Sequence, residues 1–208
     1  MPSMSPEPSI QEDILPEQIL QAALQLYLRH GLKKVTMDDV SKVIGKSRST
    51  LYYYYKNRDE IFEAVMDALI REVLDEITRT VDQADTVENK IRAFCLAKIK
   101  TSEDRRPVFT AMEAGMDADE ISRHAKTMSG VHRRLMKAEA ELLKKVLTTG
   151  VKNSQIRPLR PKEQDMLIFI LLSGIRGIRR EMRHENNFSN LKPAVDTLTA
   201  MAMKWLAE

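Results

Sequence analysis

Residues 36–62, TMDDVSKVIGKSRSTLYYYYKNRDEIF, constrain the fold more than any other stretch, because three helix starts crowd into them. Thr36 stands as an N-cap with Asp39 three residues on, Ser47 opens the next turn, and Asn57 precedes Glu60 at capping-box spacing. Between the first two, Val40 and Ile44 mark a short helix that Gly45 stops. About three turn residues and a second short helix follow. That layout predicts a helix-turn-helix over about residues 36–55, whose second helix enters the DNA major groove. Hydrogen-bonding side chains, Ser47, Arg48, Ser49 and Thr50, open this second helix where base edges would lie. Leu51 is expected to be buried, and four tyrosines, Tyr52 to Tyr55, lead to Lys56 and Arg58.

Charge supports this reading by its distribution, since the net +3 decides nothing. Residues 29–58 hold eight Lys or Arg against Asp38 and Asp39, whereas residues 59–90 hold ten acids against three bases. A basic block beside an acidic one suits a phosphate-facing patch. The competing explanation is a solvated surface with chance clustering, because residues 91–208 also carry an excess of bases.

The segment resembles the DNA-binding domain of the tetracycline-repressor (TetR) family. The match lies in Gly31, the opening Thr36-Met37-Asp38-Asp39-Val40, Gly45-x-Ser47, and the run from Thr50 through the tyrosines to Lys56-Asn57-Arg58-Asp59-Glu60-Ile61-Phe62. It covers roughly residues 15–70. Ser41 and Ile44 stand where the family prefers alanine, and Lys46 where it prefers valine. Arg48, Ser47, Ser49, Thr50 and Tyr52 are therefore candidates for base edges, and Thr36, Tyr53, Lys56 and Arg58 for phosphates.

The rest of the chain predicts helices only, giving an all-α protein of about nine helices. Helix 1 is expected from Pro16 to His30 with Gly31 as its stop, and helix 4 from Arg58 to about Val81. Five more follow, at about 86–101, 104–116, 119–149, 161–184 and 191–206. The expected organisation is a mobile tail over 1–13, a DNA-binding domain over 14–62, and a helical ligand-binding and dimerisation domain over 63–208. The eighth helix is apolar nearly all round between Met166 and Leu172, so it needs cover on two sides. Gly174 and Gly177 interrupt it, and close helix–helix approach would offset their cost. The resemblance implies a homodimer in which helices 8 and 9 pair with their copies; a large monomeric core is the alternative.

Twelve methionines are many, and Met112, Met116, Met128 and Met136 fall on helices 6 and 7. A methionine stripe at helical spacing is more often plain core, although methionine also suits the adaptable lining of a cavity. The resemblance implies a small-molecule pocket among helices 5 to 8, with an apolar or amphipathic ligand. Candidate lining residues are Phe94, Cys95, Phe109, Met112, Met128, His132 and Phe169, with Glu113, His124 and Arg176 as polar anchors.

Other chemistry finds little support. Glu181-x-x-His184 has the carboxylate–histidine spacing of a di-iron bundle, yet such a site needs a second pair and two more inward glutamates. No phosphate-binding glycine loop, nucleophile elbow or zinc-type Cys/His pairing occurs, so neither an enzyme nor a metal or other cofactor is expected. Cys95 is the lone cysteine, no signal peptide opens the chain, and the longest apolar run is too short to span a membrane. A cytoplasmic transcriptional regulator, released from a palindromic operator by a ligand, is the expected function. A DNA-binding architectural protein without ligand control is the alternative.

Overall fold

Leu15, Ile19, Ala22, Ala23 and Tyr27 recur at helical spacing and are all buried, so the first helix is held by one apolar face. A computed structural model of the chain describes residues 10–207, with side chains from Leu15 onward. Among the described residues there are nine α-helices and one 3-10 turn, and no strand. The helices are α1 (Ile10–His30), α2 (Met37–Ile44), α3 (Arg48–Tyr54), α4 (Arg58–Asp82), α5 (Val87–Asp104), α6 (Arg106–Glu113), α7 (Ala118–Lys152), α8 (Pro161–His184) and α9 (Leu191–Ala207). The 3-10 turn, Leu32–Lys34, follows α1. None of these helices is long and apolar enough to cross a membrane.

Several boundaries differ from the sequence reading by a few residues, as where α6 stops at Glu113 and α7 runs on to Lys152, and two differences matter most. Helix α1 begins at Ile10 and carries Pro16 inside it, with Leu15, just upstream of the proline, already buried. Of the expected tail, residues 10–13 are therefore helical, and 1–9 lie outside the described residues. The second difference is at Asp104, which ends α5 and does not start α6. The Arg105 N–H still donates to the carbonyl of Thr101, and Pro107 then occupies the first turn of α6.

The chain divides into two compact units. One comprises the described residues up to Leu69 together with Arg106–Met128; the other comprises Ile70–Arg105 together with Ser129 onward. Helices α4 and α7 each contribute to both. In the first unit, α1 packs on α2 and on α6, and Tyr27 meets the Phe62 ring edge-on at 6.2 Å. Burial pushes the Tyr27 phenol well above its ordinary pKa. Lys33 ties the 3-10 turn to the start of α7 through Glu120 at 2.9 Å and Asp117 at 3.6 Å. Those two acids also cap α7, each side chain accepting from the other's backbone N–H at 2.9 Å.

The second unit packs α5 against α8 and α9 around Ile91, Phe94, Leu143, Leu147, Leu171 and Val195. Gly150 lets α7 approach the start of α5, since a Cβ there would lie 2.3 Å from the Val87 side chain. At Gly174 a Cβ would touch the Leu198 side chain at 3.4 Å, so this glycine faces α9 of the same chain. Gly177 differs: a Cβ there would meet nothing within 4 Å. The unit also buries a charge pair that the sequence reading did not identify, Lys98 on α5 with both carboxylate oxygens of Glu139 on α7. Their side chains are 8% and 1% exposed.

Candidate nucleic-acid interface

Local chemistry builds α2, the turn and α3. The Thr36 hydroxyl accepts from the Asp39 N–H at 3.3 Å while the Asp39 carboxylate accepts from the Thr36 N–H at 2.9 Å. The Thr36 hydroxyl also donates to that carboxylate at 2.7 Å, and this bond together with the one from the Thr36 N–H holds the Asp39 carboxyl below its usual range. At the far end Gly45 adopts φ 66° and ψ 29°, the left-handed conformation that stops α2. The Lys46 N–H then donates to the carbonyl of Ser41 at 3.1 Å. Ser47 caps α3 by accepting from the Thr50 N–H at 3.1 Å, and its hydroxyl lies 2.8 Å from those of Ser49 and Thr50. Leu51 is fully buried and fixes which face of α3 turns outward.

Ser41 is buried where alanine would be ordinary, and its hydroxyl is satisfied by the carbonyl of Asp38 at 2.9 Å. Ile44 is half-buried and Lys46 exposed. The outward face of α3 carries Arg48, Ser49, Tyr52 and Tyr53, the last 83% exposed. Lys56 is exposed beyond it, and its backbone N–H donates to Glu60 at 2.8 Å. That bond modifies the third expected cap: Glu60 reaches back to Lys56, one residue before Asn57, while Asn57 accepts from the Glu60 N–H at 2.9 Å.

Two arginines are engaged inside the protein. Arg48 Nε lies 2.5 Å from the Asp38 carboxylate, so a base contact requires exchange of that pair. Arg58 donates to the carbonyl of Lys33 at 3.0 Å, an arrangement that fastens α4 to the 3-10 turn. Lys34 and Lys46 are exposed and have no ion pair among the described residues, yet neither entered the expected contact set. The basic block around them was the available signal.

The ten expected ligand residues divide between the two units. Phe109, Met112, Glu113, His124 and Met128 belong to the first; Phe94, Cys95, His132, Phe169 and Arg176 belong to the second. Phe94 and Cys95 are sealed in the core, where burial pushes the thiol up to about 12. Phe169 is 59% exposed and His132 also faces outward, accepting from Arg176 at 3.2 Å when neutral. Helical spacing gave the face of each helix but not what that face meets, and the expected residues fall in both units.

In the first unit His124 is buried, its ring 5.5 Å from that of Phe62 and its Nε2 3.6 Å from Glu113. Desolvation lowers its pKa, with Glu113 opposing. His124 also lines a cavity of about 420 Å³ with Leu32, Phe62, Met116, Arg58 and Arg123. In the second unit a groove of about 590 Å³ runs between α8 and α9, lined by Met166, Ile170, Leu198, Met201 and Trp205.

Residues 19–65 match the sequence profile described as bacterial regulatory proteins, tetR family. The chain is similar to YhgD, an uncharacterized HTH-type transcriptional regulator of Bacillus subtilis, at 22% identity over 74% of this chain and 76% of that one. It is also similar to IcaR of Staphylococcus epidermidis, a negative transcriptional regulator of a biofilm operon, at 26% identity over 35% of this chain. That match spans only 39% of IcaR, and other regulators are matched over 31% to 50% of their lengths. A solved structure of SmeT in complex with triclosan shares the fold, with a TM-score of 0.58 and 20% identity over 93% of this chain and 91% of that one.

Proposed function

Because the chain belongs to the tetR family of bacterial regulatory proteins, we propose that it is a homodimeric, DNA-binding transcriptional repressor released from a palindromic operator by a small-molecule ligand. The observation that carries the DNA-binding part is the capped α2–turn–α3 unit, with Leu51 buried and Arg48, Ser49, Tyr52 and Tyr53 turned outward. Arg48 opens the recognition helix, where its fork fits guanine O6 and N7 once it leaves Asp38. Selection from random DNA should enrich a palindrome. Arg48→Ala should then lose about 1–3 kcal/mol of discrimination at one base pair per half-site. Unchanged base preference in that variant would remove the base-reading role, and selection without a palindrome would favour an architectural protein.

The apolar surface of the second unit supports the dimer. Met166, Phe169 and Ile170 on α8 and Met201 on α9 are each more than half exposed, around the groove between the two helices. Exposed apolar clusters of this kind mark interaction surfaces. Pairing with a second copy would set the recognition helices roughly 34–36 Å apart, one turn of DNA. Light scattering should report about twice the 23.9 kDa chain mass, and Phe169→Glu with Met201→Glu should reduce it to one chain. A wild-type monomer at every concentration would end this reading.

Ligand release requires different affinities for the DNA-bound and released conformations. Coupling of this kind is typically worth about 1–3 kcal/mol, or roughly 5–150-fold in operator affinity. The packing of α6 on α1 supports a route for it, since a shift of α6 acts on the helix against which α2 rests. The SmeT complex with triclosan supports an apolar or amphipathic ligand for a protein of this fold.

A further inference from the structure

Helix α8 carries four arginines, Arg176, Arg179, Arg180 and Arg183, spaced i, i+3, i+4 and i+7, so they crowd one side of one helix. Together with Ser173 and Gly177 they line a cavity of about 460 Å³ within the second unit. Four guanidinium groups at that spacing repel one another unless anions intervene.

The protein supplies only part of that compensation. Arg183 pairs with Glu103 at 2.5 Å, and Arg180 with Glu181 at 3.1 Å. Arg176 spends its donors on neutral acceptors, the Ser173 hydroxyl and His132 Nε2, each at 3.2 Å. Arg179 is half-buried and makes no hydrogen bond among the described residues. Glu139 and Glu103 offset part of the Arg179 charge through space, but Glu139 is held by Lys98 and Glu103 by Arg183. Arg176 and Arg179 therefore make no direct ion pair with a carboxylate among the described residues.

We propose that the arginine face of α8 is an oxyanion-binding site, centred on Arg176 and Arg179, that takes a small molecule bearing a phosphate or a carboxylate. Planar guanidinium forks are suited to such groups, and charge-assisted hydrogen bonds are strongest where the cation is already partly desolvated. Open space beside Gly177 leaves room for the ligand, and the cavity lies within the roughly 300–1,000 Å³ usual for small-molecule sites. The proposal deepens the ligand-release reading by naming the chemistry of the ligand, but its test does not pass through DNA.

The site has its own reporter. Although His132 faces outward, partial desolvation beside α8 and then the charges of Arg176, Lys98 and Arg179 lower its pKa, so an anion seated among them raises it. The full chain is titrated through the imidazole range by NMR at fixed ionic strength, with sulfate, succinate or chloride alone. The His132 signal is identified by its loss in His132→Gln. Saturable elevation of the His132 pKa by sulfate supports a phosphate-type ligand; elevation by succinate supports a carboxylate. Arg176→Gln with Arg179→Gln should start with a higher His132 pKa and weaken the anion response at least tenfold, while Arg179→Lys should retain part of it. Both changes relieve repulsion and should leave thermal unfolding intact, and the wild-type titration decides even if they do not. Three results would overturn the site: no saturable response to either anion, an equal response in the double variant, or a His132 pKa that shifts only on dilution. The last would assign the cations to a second copy of the chain. A saturable response without any change in operator affinity would keep the site and count against ligand release.

Discussion

Glu139→Ala should destabilise the second unit by about 3–5 kcal/mol, the usual cost of removing one partner from a buried ion pair. Lys98 would be left desolvated between α5 and α7 with no carboxylate, beside Arg176 and Arg179, whose charges already disfavour its ammonium. Desolvation is the larger influence on both partners, lowering the pKa of Lys98 and raising that of Glu139, so the pair persists only because each neutralises the other. Replacing both, as Lys98→Met with Glu139→Leu, should recover most of the loss, since matched apolar groups are often as stable as a buried pair. Trp205, the single tryptophan, lies in this unit beneath the Arg157 guanidinium and makes fluorescence-monitored urea unfolding a local readout. Equal loss in the single and double variants would mean that packing at these positions, and not charge pairing, holds α5 to α7.

Glu139 also illustrates what the sequence concealed. It falls four residues after Leu135 and three before Leu142, in line with apolar positions at helical spacing on α7. A carboxylate there needs a buried cation, and Lys98 sits on the apolar face of α5 beside Phe94 and Cys95. Both halves of the pair were visible; their meeting was not, because helical periodicity gives orientation about one axis and nothing about the neighbour. The same limit scattered the expected ligand residues between two units.

Local signals fared better. The Thr36, Ser47 and Asn57 caps and the Gly45 stop depend on residues three or four apart, and all appear in the structure. Arg48 shows where even local reading ends. Its place at the head of α3 suggests base contact, while its pairing with Asp38 depends on how α2 and α3 pack. Two-sided apolarity in α8 was likewise legible, and Met166, Phe169 and Ile170 do face outward opposite buried Leu167, Leu171 and Leu172. The two glycines of that helix looked equivalent in sequence and are not: Gly174 meets Leu198, whereas Gly177 borders the arginine cavity.

Gly31→Ala should be the most damaging single change in the first unit. Gly31 has φ 78° and ψ 151°, a region that side-chain-bearing residues essentially do not occupy, at a cost of about 1–3 kcal/mol. Sterics add to this, because a Cβ would sit 2.4 Å from the carbonyl oxygen of Ala114. That oxygen is backbone, so no rotamer change relieves the clash; either α1 or the end of α6 must move. Gly45→Ala is the natural comparison. It also enforces a positive φ, 66°, but a Cβ there meets nothing within 4 Å, so the cost should stay near the 1–2 kcal/mol of a left-handed residue. The steric difference should appear as a lower unfolding midpoint for Gly31→Ala than for Gly45→Ala. Because α1 supports both α2 and α6, Gly31→Ala should also weaken operator binding without altering the preferred base sequence. Gly45→Ala, at the turn before α3, should instead disturb base preference. Equal midpoints for the two variants would show that the Ala114 carbonyl yields freely and that α6 is not braced against Gly31.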